Sequence, residues 1–288
     1  MKSLTPFDWD MVAAQLPELI ARALEEDIGD GDVTSNATIP VDAVYEGAFL
    51  VKGTGVIAGL EVAKQTFSHV DSTVDFRTHR EEGTAVAPGE IVAEATGPAR
   101  SLLTAERVAL NFLQRMSGIA TLTRLYVDAV AGTKAQILDT RKTVPGLRML
   151  DKWAVAVAGG TNHRIGLYDM ALIKDNHIVA AGGVTPAVER VRAYDKRRRP
   201  IEVEITNFDQ LHEALALHVD QIMLDNMSLE AMRAAVRLVG GATPLEASGN
   251  VSLETVRAIA ETGVDYISVG KLTHSVPALD NSFDLNTV

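Results

Sequence analysis

From residue 135 onward, the chain repeats one pattern: a short apolar run that ends in polar residues, followed by a stretch with helical periodicity. The runs end near residues 139, 174, 204, 225, 248 and 270. Strands that alternate with single helices at this spacing predict right-handed βαβ units and a parallel sheet. Six such units favour an α/β fold with an incomplete (β/α) barrel, and a doubly wound open sheet is the alternative.

The first hundred residues follow a different pattern, with helical and strand-like stretches mixed. We expect a helix over residues 12–25 and a long helix from about residue 104 to 130, bent near Gly118. Short strand-like runs, separated by glycine and proline turns, cover residues 45–51, 56–58, 73–77 and 91–95. This half is therefore predicted to be a mixed α/β region outside the repeat.

The overall charge restricts the partners of the chain. Lys plus Arg total 27 and Asp plus Glu total 38, so the formal net charge of the 288 residues is −11. Such an acidic chain is unlike a general nucleic-acid binder or a protein that binds anionic membranes. The absence of cysteine excludes disulfides and thiolate metal sites and fits a reducing compartment. No apolar run approaches the ~20 residues of a membrane span, and the first residues do not resemble a signal peptide, so we expect a soluble cytoplasmic protein.

Cationic side chains follow the early predicted strands, at the end where a barrel carries its active site. Residues 139–177 contain six Lys or Arg and four Asp or Glu, a local charge of 6 − 4 = +2. Any one of these cations is most simply a solvated surface residue, but several on one rim predict a pocket for an anion with more than one charge. The cations are Arg141, Lys142, His163, Arg164 and Lys174, and Thr140 lies in the same strand-end segment.

The later strands end in carboxylates and small-residue turns. Glu204 and Asp225 close successive strands, so we expect them to be neighbours. Oxygen ligands without Cys or a metal-binding His pair favour Mg²⁺ shared with substrate phosphates; the alternative is that one carboxylate simply pairs with a pocket cation. Barrels commonly bind phosphate on the backbone N–H groups of their last turns. The corresponding turns here are Ser248, Gly249 and Asn250, and Val269, Gly270 and Lys271.

The most distinctive segments are residues 26–35 (EDIGDGDVTS), 111–121 (NFLQRMSGIAT) and 139–148 (DTRKTVPGLR). Further distinctive segments are residues 162–167, 171–177, 202–204, 223–226 and 263–270. Together they resemble the quinolinate phosphoribosyltransferase family, also called nicotinate-nucleotide pyrophosphorylase (carboxylating), nearly from end to end. Two positions depart from many members: Ala158 interrupts a glycine triplet, and Trp153 stands in place of a more usual tyrosine.

The resemblance implies a domain organisation and an assembly. An N-terminal α/β sandwich domain would comprise residues 1–115 together with the C-terminal tail, residues 275–288, and an α/β barrel catalytic domain would comprise residues 116–274. Members are homodimers, in some cases assembled further. An arginine of one subunit completes the site of the other, and Arg107 matches that position.

The resemblance also implies a reaction. Phosphoribosyl pyrophosphate and quinolinate would give nicotinate mononucleotide, pyrophosphate and CO₂, a step of NAD biosynthesis. Quinolinate would be bound by the cations described above and by Arg107 of the partner subunit. Mg²⁺, with phosphoribosyl pyrophosphate, would be held by Glu204 and Asp225, and the 5′-phosphate would lie on the two small-residue turns. The expected catalytic residues are Lys142, Lys174, Glu204 and Asp225.

Three other functions fit parts of this pattern. A molybdenum-transport-type paralogue would share most of the motifs but take a different anionic substrate. A barrel aldolase would use Lys174 to form a Schiff base with a carbonyl substrate. A non-catalytic anion-binding protein would use the same cations without turnover.

Overall fold

A computed structural model describes residues 7–287 of the chain, without the side chains of the last two of these. The described residues form two compact units. The first unit contains residues 125–143 and 160–272, and the second contains residues 7–124, 144–159 and 273–287. The domain bounds implied by the resemblance stay a prediction.

The helices and strands of the described residues have the following bounds. The helices are α1 (Trp9–Ala13), α2 (Leu16–Ile28), α3 (Val33–Thr38), α4 (Leu60–Val70), α5 (Ala99–Ala129), α6 (Arg148–Val157), α7 (Asp175–Ala181), α8 (Val184–Tyr194), α9 (Phe208–Ala216), α10 (Leu229–Val239), α11 (Val256–Ala260) and α12 (Lys271–His274). The strands are β1 (Val44–Val51), β2 (Gly55–Val56), β3 (Asp75–Thr78), β4 (Ala85–Val86), β5 (Ile91–Pro98), β6 (Gln136–Leu138), β7 (Ala171–Ile173), β8 (Ile201–Ile205), β9 (Gln221–Asp225), β10 (Leu245–Ser248), β11 (Tyr266–Ser268) and β12 (Asn281–Thr287).

The first unit is built on a six-stranded parallel sheet in the order β6-β11-β10-β9-β8-β7. Strands β7 to β11 are neighbours in chain order, and β6 lies beside β11, as in a barrel whose first and last strands meet. A doubly wound sheet would reverse direction at a switch point instead. Among the described residues β6 and β7 form no ladder with each other. The predicted incomplete barrel is therefore confirmed.

The second unit contains a four-stranded antiparallel sheet in the order β12-β1-β5-β3. Its core contains an aromatic cluster, in which the rings of Phe49, Phe67 and Phe283 lie with centroids 4.7 to 5.8 Å apart. Helix α5 adds buried side chains to this core at helical spacing. These side chains are Leu102, Ala105, Ala109, Leu110 and Leu113.

Helix α5 is longer than predicted and runs through Gly118, where a bend was expected. A Cβ at Gly118 would lie 2.2 Å from the carbonyl oxygen of Pro277, so this glycine permits a close backbone approach. Although α5 has 31 residues, no helix in the described part of the chain is long and apolar enough to cross a bilayer.

The helix predicted over residues 12–25 is instead split between α1 and α2. Pro17 lies in the first turn of α2, a position where its missing N–H costs no helical hydrogen bond. The indole rings of Trp9 and Trp153 pack at 5.1 Å. Trp153, one of the two departures from the family pattern, therefore has a packing role within the second unit.

Candidate active site

The pocket of interest lies in the first unit, at the carboxyl end of the barrel strands, and has a volume of about 220 Å³. Side chains at alternate positions of the paired strands lie on the same face of the sheet, and this face forms the floor of the pocket. Seven of the residues predicted for the site line the pocket. They are Thr140, Arg141, Lys142, His163, Arg164, Ser248 and Lys174. Residues that are distant in the sequence therefore line one pocket.

A buried aspartate after β6 holds the segment that carries the histidine. Asp139 Oδ1 accepts the backbone N–H of His163 at 2.9 Å, and Oδ2 accepts the Asn162 amide at 2.6 Å. Asp139 is fully buried and Asn162 is 7% exposed, so these bonds are shielded from water. The carboxylate thereby fixes the segment of residues 162–164 next to the end of β6.

Arg164 is held in the pocket wall although little of it reaches solvent. Its Nη1 donates to the carbonyl oxygen of Met170 at 3.1 Å, and Asp169 accepts the next two backbone N–H groups, of Ile165 and Gly166. Burial, and then the nearby charge of Arg141, lower the pKa of the Arg164 guanidinium. The charges of Glu202 and Asp169 act in the opposite direction, so nearby carboxylates partly balance this guanidinium.

Lys174, at the end of β7, forms an ion pair with Glu204 of the neighbouring strand β8. The Glu204 side chain is 10% exposed and the Lys174 side chain 43% exposed. The ammonium group thus approaches the buried carboxylate from the solvent side. This contact joins the cationic and acidic parts of the predicted site.

The donor set at Glu204 and Asp225 fits Mg²⁺. Glu204 pairs in register with Met223, and Asp225 lies two residues beyond Met223, so both carboxylates are on the same face of adjacent strands. Mg²⁺ prefers oxygen ligands and typically uses one or two carboxylates, completed by water and phosphate oxygens. The Lys174 ammonium pairs with Oε2 of Glu204, so a metal at this carboxylate would either bind beside the ammonium group or displace it.

Asn226 links the turns after β9 and β10, a contact that the sequence analysis missed. Its amide donates to Asp225 at 2.9 Å, and its Oδ1 accepts the Asn250 amide at 3.1 Å. Gly249 has φ +99°, and a Cβ there would lie 2.1 Å from Asn226 Oδ1. A side chain at 249 would be strained by this φ and would force the Asn226 side chain to move, so glycine is favoured there.

Below the cations lies a buried polar cluster formed by His163, Glu202, Gln221 and Glu246. His163 Nε2 is 3.0 Å from Glu202 Oε2 and 3.4 Å from Glu246 Oε2. The amide nitrogen of Gln221 donates to both glutamates, at 2.9 and 2.6 Å. Strand side chains at 202, 221 and 246 thus meet the loop side chain at 163 inside the barrel.

The electrostatics of this cluster favour a charged histidine. Burial works to lower the pKa of His163, but Glu246 and Glu202 raise it to about 10. The Arg164 backbone N–H, 2.7 Å from Nδ1, favours the neutral ring. Two carboxylates in a water-poor interior outweigh that single hydrogen bond.

The two glutamates respond differently to the same surroundings. Burial, together with the Glu246 charge, raises the pKa of Glu202 to about 7. Burial would also raise the pKa of Glu246, but the His163 charge holds it below its ordinary value. The cluster therefore keeps its negative charge mainly on Glu246.

The remaining predicted residues lie outside the described pocket lining. Arg107 belongs to the second unit, and its side chain is 57% exposed. Val269 is buried, Gly270 follows β11, and Lys271 begins α12. Their predicted roles stay predictions, as do those of all the site residues.

Four pocket-lining residues were not predicted: Leu172, Met223, Glu246 and Ser268. Glu246 could have been noticed, because a carboxylate in the middle of an apolar strand run needs a partner when buried. Leu172 and Met223 carry no such signal, since they fit any buried strand.

Two family models cover most of the chain. Residues 32–117 match the N-terminal domain of quinolinate phosphoribosyl transferase, and residues 119–284 match its C-terminal domain. Together they span both compact units of the fold.

Named relatives cover nearly the whole chain. Quinolinate phosphoribosyltransferase [decarboxylating] 1b of Nicotiana tabacum is 47% identical over 94% of this chain and 83% of that protein. A probable nicotinate-nucleotide pyrophosphorylase [carboxylating] of Bacillus subtilis is 45% identical over 94% of this chain and 93% of that protein.

A solved structure agrees with these relatives. NadC of Streptococcus pyogenes superposes with a TM-score of 0.92 at 41% identity, covering 95% of this chain and 97% of that one. The chain belongs to the quinolinate phosphoribosyltransferase family.

Proposed function

We propose that this protein transfers phosphoribosyl from phosphoribosyl pyrophosphate to quinolinate with loss of CO₂. The products are nicotinate mononucleotide, pyrophosphate and CO₂. The observation that carries the proposal is the convergence of cations in one pocket of a chain of this family. Arg141 lies close enough to Arg164 for its charge to lower the pKa of the Arg164 guanidinium, so this part of the pocket is strongly cationic. Quinolinate, with two carboxylates on one ring, is an anion of matching charge.

The chain contributes binding and orientation. The pocket cations hold the two carboxylates of quinolinate, so that the ring nitrogen faces the anomeric carbon of the ribose. The nitrogen forms the new bond to that carbon as the bond to pyrophosphate breaks, and the leaving oxygen keeps the electron pair. Lys142 and Lys174 stabilise developing negative charge, while Glu204 and Asp225 stabilise positive charge on the ribosyl group. These four are the proposed catalytic residues.

Decarboxylation follows from the charge on the ring. Once the ring nitrogen is bonded to ribose it is positive, and it stabilises the electron pair left behind when the adjacent carboxylate departs as CO₂. A proton then replaces that carboxylate. The pocket's role is to hold the ring while this exchange occurs.

Glu204 and Asp225 are the proposed holders of Mg²⁺, through the oxygen donors described above. When bound, the metal would supply charge neutralisation to the diphosphate of the second substrate. The turns at residues 248–250 and 269–271 are the proposed site of the 5′-phosphate. Asn226 supports the first turn through Asn250, and it also contacts Asp225.

The direct test is an assay of purified protein with quinolinate, phosphoribosyl pyrophosphate and Mg²⁺. Equal release of pyrophosphate and CO₂ is expected, with loss of both when either substrate is omitted. Nicotinate, which lacks one carboxylate, is the matched control and should react poorly. Turnover of a different anion in place of quinolinate would support the molybdenum-transport-type alternative, which has no support among the relatives described above.

The assay also separates the other two functions. Borohydride trapping of a carbonyl substrate on Lys174 would indicate an aldolase. Binding of quinolinate without turnover, unaffected by Glu204→Ala and Asp225→Ala, would indicate an anion-binding protein. Either result would overturn the proposal.

We propose that the enzyme is a homodimer in which Arg107 completes the site of the partner. Support comes from the exposure of this side chain and from its match to the family position. Mixing inactive Arg107→Ala and Lys174→Ala proteins under subunit exchange should restore activity to about a quarter of normal, since half of the dimers then hold one complete site. No recovery, despite exchange shown by mass spectrometry, would contradict a shared site.

For the cellular compartment we propose the cytoplasm, which the cysteine-free composition supports. Cell fractionation followed by the activity assay tests this. Activity confined to an organelle or to the exterior would contradict it.

A further inference from the structure

Two carboxylates under a pocket for a dianion need a physical explanation. Glu202 and Glu246 have fully buried side chains, and Gln221 is 1% exposed. The inward positions of a barrel are usually filled by branched apolar residues. Buried polar groups at these positions cost free energy unless they are bonded.

Gln221 holds the two glutamates together. Its amide nitrogen donates one hydrogen bond to Glu202 Oε1 at 2.9 Å and another to Glu246 Oε2 at 2.6 Å. The three residues come from three adjacent strands, β8, β9 and β10, so the backbone ladder fixes their spacing. One carboxamide thereby sets the position of both carboxylates.

The carboxylates in turn hold His163. They approach Nε2 at 3.0 and 3.4 Å, while the backbone N–H of Arg164 lies 2.7 Å from Nδ1. The ring is thus contacted at both nitrogens by protein groups, and it also lines the pocket. Rotation of the ring about χ2 would break contacts on both sides.

Glu246 lines the pocket as well. A carboxylate on this wall would repel an anionic substrate if its charge were not balanced. Held against His163, the charge of Glu246 is paired, and the ring keeps a single orientation. Because the Glu246 carboxylate repels an anionic substrate and attracts His163, we infer that its function is to hold the imidazole ring.

Building on the proposed function, we propose that Glu246 and Gln221 are positioning residues of this reaction. They act through His163, by holding its imidazole ring in the pocket wall, and they do not themselves bind the substrate. Glu202 shares this contact, but it lies two residues from the proposed metal ligand Glu204, so Glu246 is the cleaner position to test.

A double-mutant cycle tests this proposal, with kcat/KM for quinolinate measured for the normal protein, Glu246→Gln, His163→Gln and the double variant. Glu246→Gln should lower kcat/KM by about ten- to a hundredfold, the range of a charge-assisted hydrogen bond. In the His163→Gln background the same change should have less than about a twofold effect, because independent sites add and coupled sites do not. Equal losses in both backgrounds would overturn the proposal. Glu189→Gln, an exposed change on α8, is the control.

A second measurement does not need turnover. The chain has seven histidines, and ¹⁵N-histidine labelling with His163→Gln for assignment identifies the His163 ring signals by NMR. Glu246→Gln and Gln221→Leu should both shift these signals, whereas Glu189→Gln should not. Unshifted His163 signals would overturn the inference even if the normal protein is fully active. Shifted signals in a protein that lacks turnover would support the positioning contact and reject only the proposed function.

Discussion

The two sheets of this protein bury different kinds of side chain. The antiparallel sheet of the second unit encloses a cluster of phenylalanines, with Phe49 and Phe67 fully buried. The parallel sheet of the first unit buries Glu202, Gln221 and Glu246 on the face beneath its pocket. Aromatic packing lowers the free energy of the fold, whereas buried charges are costly unless they are paired.

This difference separates stability from chemistry. In the second unit each phenylalanine ring of the cluster contributes to packing and, being uncharged, has no electrostatic interaction to offer a substrate. In the first unit, part of the interior supports a charged pocket at the cost of apolar packing. Changes in the two interiors should therefore affect different measurements.

The largest effect is expected at the rim of the parallel sheet. Lys174→Ala and Arg141→Ala should each reduce turnover by about a thousandfold or more, because each removes a charge that faces the anionic substrates. The thermal unfolding temperature of Lys174→Ala should fall far less than its activity does, since Lys174 itself is 43% exposed. Lys196→Ala, at an exposed position after α8, is the matched control and should leave turnover unchanged. Near-normal activity in either site variant would show that the assigned pocket is wrong.

The opposite result is expected in the aromatic core. Phe49→Ala should lower the free energy of unfolding by about 3–5 kcal/mol, through lost burial and an unfilled cavity. Activity per folded molecule, measured at low temperature, should stay close to normal. Denaturant unfolding followed by circular dichroism measures the loss, and Phe49→Leu should restore most of it. A loss below about 1 kcal/mol would mean that this cluster is not the main stabilising core of its unit.

A smaller loss of unfolding free energy is expected at the turn after β10, where two glycine variants distinguish backbone strain from crowding. Gly249→Ala combines a positive φ with a clash against Asn226, whereas Gly132→Ala has a similar φ and open space. We expect losses of about 2 and about 1 kcal/mol respectively in unfolding free energy. Only Gly249→Ala should also raise the KM for phosphoribosyl pyrophosphate. Equal losses of unfolding free energy and equal KM values in the two variants would show that the Asn226 contact has no effect.

The last prediction concerns the pH dependence of stability. The folded-state pKa of His163 is raised from 6.5 to about 10, so its contribution to stability is complete below pH 6.5 and is lost as pH rises through 10. The normal protein should therefore lose more stability between these values than His163→Gln does. Parallel stability curves for the two proteins over this range, measured by denaturant unfolding, would contradict the charged ring.

Much of the fold could be predicted from the sequence. Strand–helix alternation after residue 135 identified the parallel sheet, because a local period and the handedness of βαβ units leave few arrangements. The long helix was also predicted, although it begins at Ala99 rather than near residue 104. The split between α1 and α2 was missed, since the apolar spacing continues across it and only Pro17 indicates a restart.

The sequence by itself determined which residue types stand at the ends of the strands, and hence the cations around the pocket and the carboxylates of β8 and β9. Only the tertiary structure decided what lies beneath them. The contacts of His163 with Glu202 and Glu246 join residues 39 and 83 positions apart in the chain (202 − 163 and 246 − 163). No local period encodes such pairs, because they depend on strand register and on which face each side chain occupies.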